Sequence, residues 1–215
     1  MQNEVAWLYK TLGDRGLVAG SAGNVSARTA GGMLITPSGG DPEAGMELVS
    51  LSMDGVVHGD CAGTPSSEWA LHAAVYRECP EAAFIVHTHA DACTALACLR
   101  SPLPAFHYMV TEFGGTEVRC APYVTFGTPA LADHAARAIR GQNACLLANH
   151  GMIVSAATAR GVLSRAVLLE TLCRQYLLAL SAGTPRLLTE QEMADARERF
   201  KTYGPRSGRS EAPAL

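Results

Sequence analysis

The chain has 215 residues, 48% hydrophobic and 17% charged, a balance found in globular domains and not in disordered chains. A net charge of −3 and a pI near 6.2 leave no basic footprint for nucleic acid or an anionic lipid surface. No apolar run is long enough to cross a bilayer, and the opening MQNEVAWLYKTLGDRG has neither the charged lead nor the apolar core of a secretion signal.

In chain order, residues 3–18 carry apolar positions at helical spacing and predict a helix stopping before Gly20. Short extended pieces follow, NVSAR and MLITP, between Gly-rich turns, and Glu47–His58 reads as two strands around the Met53-Asp54-Gly55 turn. Ser66–Cys79 predicts a helix with a serine at its cap and Pro80 after its end. The run AAFIVHTH reads as a buried strand, 90–99 as a helix, 118–126 as a weak strand, and Thr128–Arg140 as a helix with Pro129 at its first position. Ala144–Ala148 is a further buried strand breaking at Asn149-His150-Gly151. The longest predicted helix, Thr158–Ala182, has an apolar stripe wide enough for burial on more than one side, and a charged helix covers Thr189–Lys201. Helices alternating with short strands and tight turns predict an α/β or α+β fold with antiparallel pairing. One domain over residues 1–203 is expected, with a mobile tail over 204–215, PRSGRSEAPAL closing it. The seven cysteines (Cys61, Cys79, Cys93, Cys98, Cys120, Cys145, Cys173) are scattered and never spaced C-x-x-C, which suits buried apolar residues in a reducing cytoplasm.

Three histidines carry the chemistry. His87 and His89 close the apolar run two residues apart, a spacing that puts both on one face of a strand. His150 closes a second apolar strand, CLLAN. If those strand ends meet in the sheet, three imidazoles converge on one cation and leave a coordination position open, as catalytic zinc sites do. Glu68 stands near a helix N-terminus, where a solvated carboxylate is also favoured, and His72 lies one turn further on, within reach of it. His72, His58 and His134 read as structural. There is no H-E-x-x-H, P-loop or dinucleotide G-x-G-x-x-G. The small-residue turns Gly20–Asn24 and Thr36–Gly40, and the pair Ser66-Ser67, offer hydroxyls and backbone N–H groups suited to a phosphate.

The stretches GSAGNVSAR, LITPSG, PSSEWALH, FIVHTHADACTA, PAFHYM, CAPYVTFGT, LANHG and FKTYG occur in this order over nearly the whole chain. In them the sequence resembles the class II aldolase and adducin head family. The resemblance implies a three-layer αβα fold around a central, mainly antiparallel sheet, in a homotetramer with sites at subunit interfaces. It implies zinc, one per subunit, on His87, His89 and His150, with Mn2+ or Co2+ as alternative ions. Glu68 then corresponds to the catalytic acid/base, and Tyr108 to a catalytic tyrosine reaching in from a neighbouring subunit. Asn24, Ser38, Gly39, Ser66 and Ser67 correspond to the phosphate cradle, and Phe126 and Tyr203 to the aldehyde side. Where the family carries Thr-Gly after LITP, this chain has Ser38-Gly39, which keeps the hydroxyl. The expected activity is aldol cleavage of a ketose 1-phosphate (of the L-fuculose, 5-deoxyribulose or methylthioribulose type) to dihydroxyacetone phosphate and an aldehyde. The alternatives on the same site are a pentose-phosphate 4-epimerase or a methylthioribulose-phosphate dehydratase, and, outside catalysis, an adducin-like scaffold.

Overall fold

The computed structural model describes residues 1–41, 47–59 and 63–202; Tyr203, the 204–215 tail and Cys61 lie outside them. Seven strands form one sheet in the order β3-β2-β1-β4-β7-β6-β5. They are β1 (Gly23–Thr29), β2 (Gly32–Ile35), β3 (Val49–Leu51), β4 (Phe84–Thr88), β5 (Cys120–Ala121), β6 (Ala144–Leu147) and β7 (Gly151–Ala156). Every pairing is antiparallel except β5 with β6.

Strand alternation divides the core in two. Val25, Ala27, Phe84, Val86, Met152 and Val154 face the layer built by α1 (Gln2–Asp14), α3 (Asp91–Cys98) and α5 (Ala159–Ala182). Met33, Ile35, Ile85, Cys145 and Ile153 face α2 (Trp69–Glu78) and α4 (Pro129–Ile139). This is the expected three-layer arrangement. The last helix, α6 (Glu190–Phe200), starts on a capping box between Thr189 and Glu192 and packs on a 3₁₀ segment at Tyr108–Phe113. No helix among the described residues is long and apolar enough to cross a membrane.

Several elements depart from the sequence expectation for identifiable reasons. Helix α1 stops at Asp14 because Gly16 takes a left-handed φ of 69°. The apolar run beyond it, Leu17-Val18, is buried as connection. The second strand expected before His58 is reduced to a Leu51–Val57 bridge, since Ser52 Oγ folds the chain by accepting from the N–H groups of Asp54 and Val56. Strand β5 spans two residues and stops before Pro122, which has no N–H to donate. Strand β7 was not anticipated, although it is wholly buried between β4 and β6; it follows so closely on the Asn149-His150-Gly151 turn that its apolar residues were not separated from it. Helix α5 is buried only as far as Cys173, and its second half carries exposed Leu178 and Leu180, so the expectation of burial on several sides fails there.

Candidate metal centre

The candidate metal ligands come from chain reversals at one end of the sheet. Asn24 on β1 lies directly opposite His87 on β4 in the strand register, and His87 is opposite Ile153 on β7. His89 follows β4 just before α3. His150 sits in the β6–β7 hairpin, whose turn needs Asn149 at φ 54°. A side chain at Gly151 would collide with the Thr88 carbonyl oxygen, so glycine there lets the hairpin close against β4. The strand ends do meet, through β7, which separates β4 from β6.

The three rings lie 4.8–5.0 Å apart, centroid to centroid. With the Glu68 carboxylate they place one donor atom each within 4.8 Å of one another. His87 Nδ1 lies 2.8 Å from the Met152 carbonyl oxygen. A carbonyl only accepts, so Nδ1 carries the proton and the Nε2 lone pair points into the cluster. There it meets His89 Nε2 and Glu68 Oε2, each 3.1 Å away. Lone pairs facing one another at that distance repel unless a proton or a cation lies between them. Two bonds of ~2.05 Å at the tetrahedral angle put their nitrogens about 3.3 Å apart, close to the spacing found. Glu68 Oε1 is buried with no hydrogen-bond partner among the described residues, and His150 Nε2 stands 3.4 Å from it. These residues fit a divalent ion.

Titration favours the same picture. Burial, and then the charge of His87, pushes the His150 ring down to about 4, and the same two causes lower His89. Both rings are therefore neutral, with lone pairs to give, at pH 7. Burial opposes ionisation of Glu68. His87, His150 and the Asn24 amide outweigh it and hold the carboxyl well below the usual carboxylate range.

Glu68 is not the solvated first-turn acid that its position suggests. It is 7% exposed and takes the N-cap position of α2 without capping it through its side chain. The serine expected to cap the helix instead turns the chain before it, Ser66 Oγ accepting from Glu68 N–H. His72 does not bond Glu68. It is fully buried and reaches Asn24, whose amide in turn donates to Glu68 Oε2 at 3.0 Å.

A cleft of about 330 Å³ opens over the cluster, lined by Glu68, His89 and His150. Asn24, Ser38, Gly39, Ser66 and Ser67 all line it. The N–H groups of Gly39 and Ser67 have no hydrogen-bond partner among the described residues. Phe126 forms part of the rim and is 65% exposed. Tyr123, Val124 and Asn149 line it too; they were not singled out from the sequence, and only their nearness to Phe126 and His150 could have pointed to them. Tyr108 does not line this cleft. It stands in the 3₁₀ segment, half exposed and stacked between the rings of His107 and Phe200.

Three histidines and a carboxylate at the end of a layered antiparallel sheet thus form a potential metal site beside a hydroxyl-lined pocket. The family described as "Class II Aldolase and Adducin N-terminal domain" matches residues 3–177. A 5-methylthioribulose-1-phosphate/5-deoxyribulose-1-phosphate aldolase of Rhodospirillum rubrum is 42% identical over 205 residues, 93% of this chain and 90% of that protein. An L-fuculose phosphate aldolase of Escherichia coli is 42% identical over 190 residues, 88% of each. A solved L-fuculose 1-phosphate aldolase superposes with a TM-score of 0.88 at 37% identity, covering 93% of this chain and 95% of that one. The chain belongs to the class II aldolase and adducin N-terminal domain family.

Proposed function

We propose that the protein is a metal-dependent aldolase that reversibly cleaves a ketose 1-phosphate to dihydroxyacetone phosphate and a short aldehyde. The observation that carries the reading is an ionised, buried carboxylate beside three clustered imidazoles, at the floor of a cleft walled by serines and by backbone N–H groups without a partner among the described residues. Relatives named as aldolases for the L-fuculose and the 5-methylthioribulose and 5-deoxyribulose 1-phosphates support it.

His87, His89 and His150 would hold a divalent ion, zinc being the one found in catalytic sites of three histidines with an open position. When bound, it supplies positive charge next to the oxygens of the enediolate that forms as the carbon–carbon bond breaks. Ser38, Gly39, Ser66 and Ser67, with Asn24 behind them, take the phosphate by hydroxyl and backbone donation, which needs no lysine or arginine. In the condensation direction, ionised Glu68 takes a proton from C3 of dihydroxyacetone phosphate. The electron pair left on C3 attacks the aldehyde carbon, and the new C4 oxygen takes a proton from Tyr108. Cleavage runs the same steps backwards, with Glu68 returning its proton to C3. Because Tyr108 lies outside the cleft of its own chain, it serves the site of a neighbouring copy in a homotetramer. Phe126 bounds the aldehyde end, and Tyr203, which lies outside the described residues, is assigned to that end by the family resemblance alone.

The test is aldehyde release from L-fuculose, 5-deoxyribulose and methylthioribulose 1-phosphates, with and without chelator. Chelator-sensitive release of an aldehyde from at least one of them is expected. Phosphorylated product without aldehyde would point to epimerisation or dehydration instead, and a metal-free protein that binds no sugar phosphate would point to a scaffold.

A further inference from the structure

Strand β1 has one conventional buried face, Val25 and Ala27, and one that is polar although buried. Asn24 is 4% exposed and Ser26 0%. Opposite it on α2 stand residues four apart, Glu68 just before the helix and then His72 and Tyr76, so strand period and helix period mesh side chain for side chain. The links are close. Tyr76 OH lies 2.9 Å from Ser26 Oγ, Ser26 Oγ 2.7 Å from His72 Nδ1, His72 Nε2 2.5 Å from Asn24 Oδ1, and Asn24 Nδ2 3.0 Å from Glu68 Oε2. Arg28, the next residue on that face of β1, covers the Tyr76 ring at 4.5 Å and bonds its carbonyl oxygen.

The direction of this chain follows from its last member. An ionised carboxylate accepts only, so Asn24 must turn its NH2 towards Glu68 and its oxygen towards His72. His72 must then carry its proton on Nε2 and accept at Nδ1 from the Ser26 hydroxyl, which in turn accepts from Tyr76. Burial pushes the Tyr76 phenol up and the His72 ring down to about 3, so neither loses the form this order requires. The Ala83 carbonyl oxygen also lies 3.4 Å from Tyr76 OH, but Ser26 Oγ is nearer at 2.9 Å, and with the phenol proton on that shorter contact each donor points towards Glu68. Apolar residues of similar volume would fill the same space between β1 and α2 without the cost of burying four polar side chains.

We propose that Tyr76, Ser26 and His72 are positioning residues for Glu68: they pin the Asn24 amide so that it holds Oε2 and leaves Oε1, which has no hydrogen-bond partner among the described residues, to exchange a proton with the substrate carbon. The inference rests on Glu68 being the acid/base of the proposed aldolase. With His72 replaced by a residue that cannot donate, the Asn24 amide turns freely, and its oxygen faces the carboxylate in one of its two orientations.

The experiment follows exchange of the C3 proton of dihydroxyacetone phosphate with deuterated water, which needs Glu68 but no aldehyde, in the zinc-loaded protein. His72→Leu slows exchange by about 10–100-fold, the usual cost of losing a partner behind a reacting group. The KM for the ketose phosphate stays within about two-fold and zinc content is unchanged, since the loss falls on proton transfer and not on binding. His72→Gln, which can still donate to Asn24, recovers most of the rate. Ser26→Ala, a small change that keeps the fold, slows exchange too, and NMR of the His72 ring nitrogens shows the proton no longer confined to Nε2. Wild-type exchange rates in His72→Leu overturn the proposal. So does a loss in which KM or zinc content moves with the rate, or a failure of Gln to restore what Leu removes. If His72→Leu does not fold, an unchanged rate in Ser26→Ala overturns it alone. A wild-type protein that exchanges no deuterium fails the aldolase reading itself, a result distinct from wild-type exchange that survives the substitutions.

Discussion

The floor and the rim of the cleft are built in opposite ways. At the floor, His87, Glu68, Asn24 and His72 are buried, each locked by a neighbour 2.5–3.1 Å away. At the rim, Tyr123 and Phe126 are more than half exposed, and Tyr108 stands apart from the cleft on another element. Buried polar groups must be satisfied where they are, so one chain has to complete the floor by itself. Exposed aromatic rings carry no such demand and are free to find their partner on a substrate or a second copy. The floor of the site is therefore fixed by the folding of one chain, whereas the rim is left open to what it meets.

The largest effect expected is at the floor. Zinc lowers the pKa of a bound oxygen acid from ~15.7 to ~7, whereas a positioned general base contributes ~10²–10⁴-fold. Removing the ion with chelator should thus cost more aldolase activity than Glu68→Gln assayed under saturating zinc, itself slower by about 10²–10⁴-fold. Side-by-side turnover of the two samples checks the ranking. A milder loss for the metal-free protein would place the carboxylate, and not the cation, at the centre of the floor.

The floor should also be where acid unfolds the metal-free protein. His72 is held near 3 in the folded state, against an ordinary 6.5. Its folded value is depressed, so between those limits the unfolded chain binds the proton and the folded chain does not, and stability falls as pH falls below 6.5. Going from pH 7 to 5 costs about 2 kcal/mol from His72 alone, and His150, depressed to about 4, adds to it. Glu68 is lowered as well, but from an ordinary value of 4.5, so it gives up its contribution mainly below this window. Urea melts of metal-free protein at pH 7, 6 and 5 should show that slope, and His72→Gln should flatten it by about 2 kcal/mol across the window. An equal slope in the variant would mean that His72 takes up protons in the folded state.

What the sequence disclosed follows the same division. Most helices and the three histidines are legible because periodicity and strand-end placement are local signals, whereas the three layers follow from the family resemblance. The long capped helices α4, α5 and α6 came out within a residue or two, since Thr128, Thr158 and Thr189 each accept from their own first turn. Strand β7 was hidden by its closeness to the hairpin turn. The burial of Glu68 and its link to Asn24 were hidden because residues 44 positions apart meet only once β1 and α2 pack. The polar residues Asn24, Ser26 and Arg28, alternating with apolar Val25 and Ala27, and the one-turn spacing of Glu68 and His72 were the available signs of that network.

At the rim the effects should be smaller and should leave the floor intact. Tyr108→Phe removes a proton donor and is expected to slow turnover by about 10²-fold with zinc content unchanged. If the tyrosine serves a neighbouring copy, refolding Tyr108→Phe together with Glu68→Gln regenerates some sites with both groups intact, and the mixture becomes more active than either variant alone. Mixed samples no better than their parents would return Tyr108 to its own chain or remove it from the reaction.

The smallest effect expected is at Phe126. It is 65% exposed, so cutting it to alanine removes little that the fold depends on, and the melting temperature should stay with the wild type. What it can supply is apolar contact with the end of the substrate that becomes the aldehyde. Contact with one methyl or thioether is worth ~1–3 kcal/mol, or roughly 10–200-fold in kcat/KM. A ring this open to water should fall at the low end, near 10-fold, and should show mainly in KM. The loss should be greater for the methylthio substrate than for the 5-deoxy one, because the larger group has more surface to lose. Equal losses on both would deny Phe126 a part in specificity, and a fall in kcat with KM unchanged would tie the rim to the chemistry of the floor.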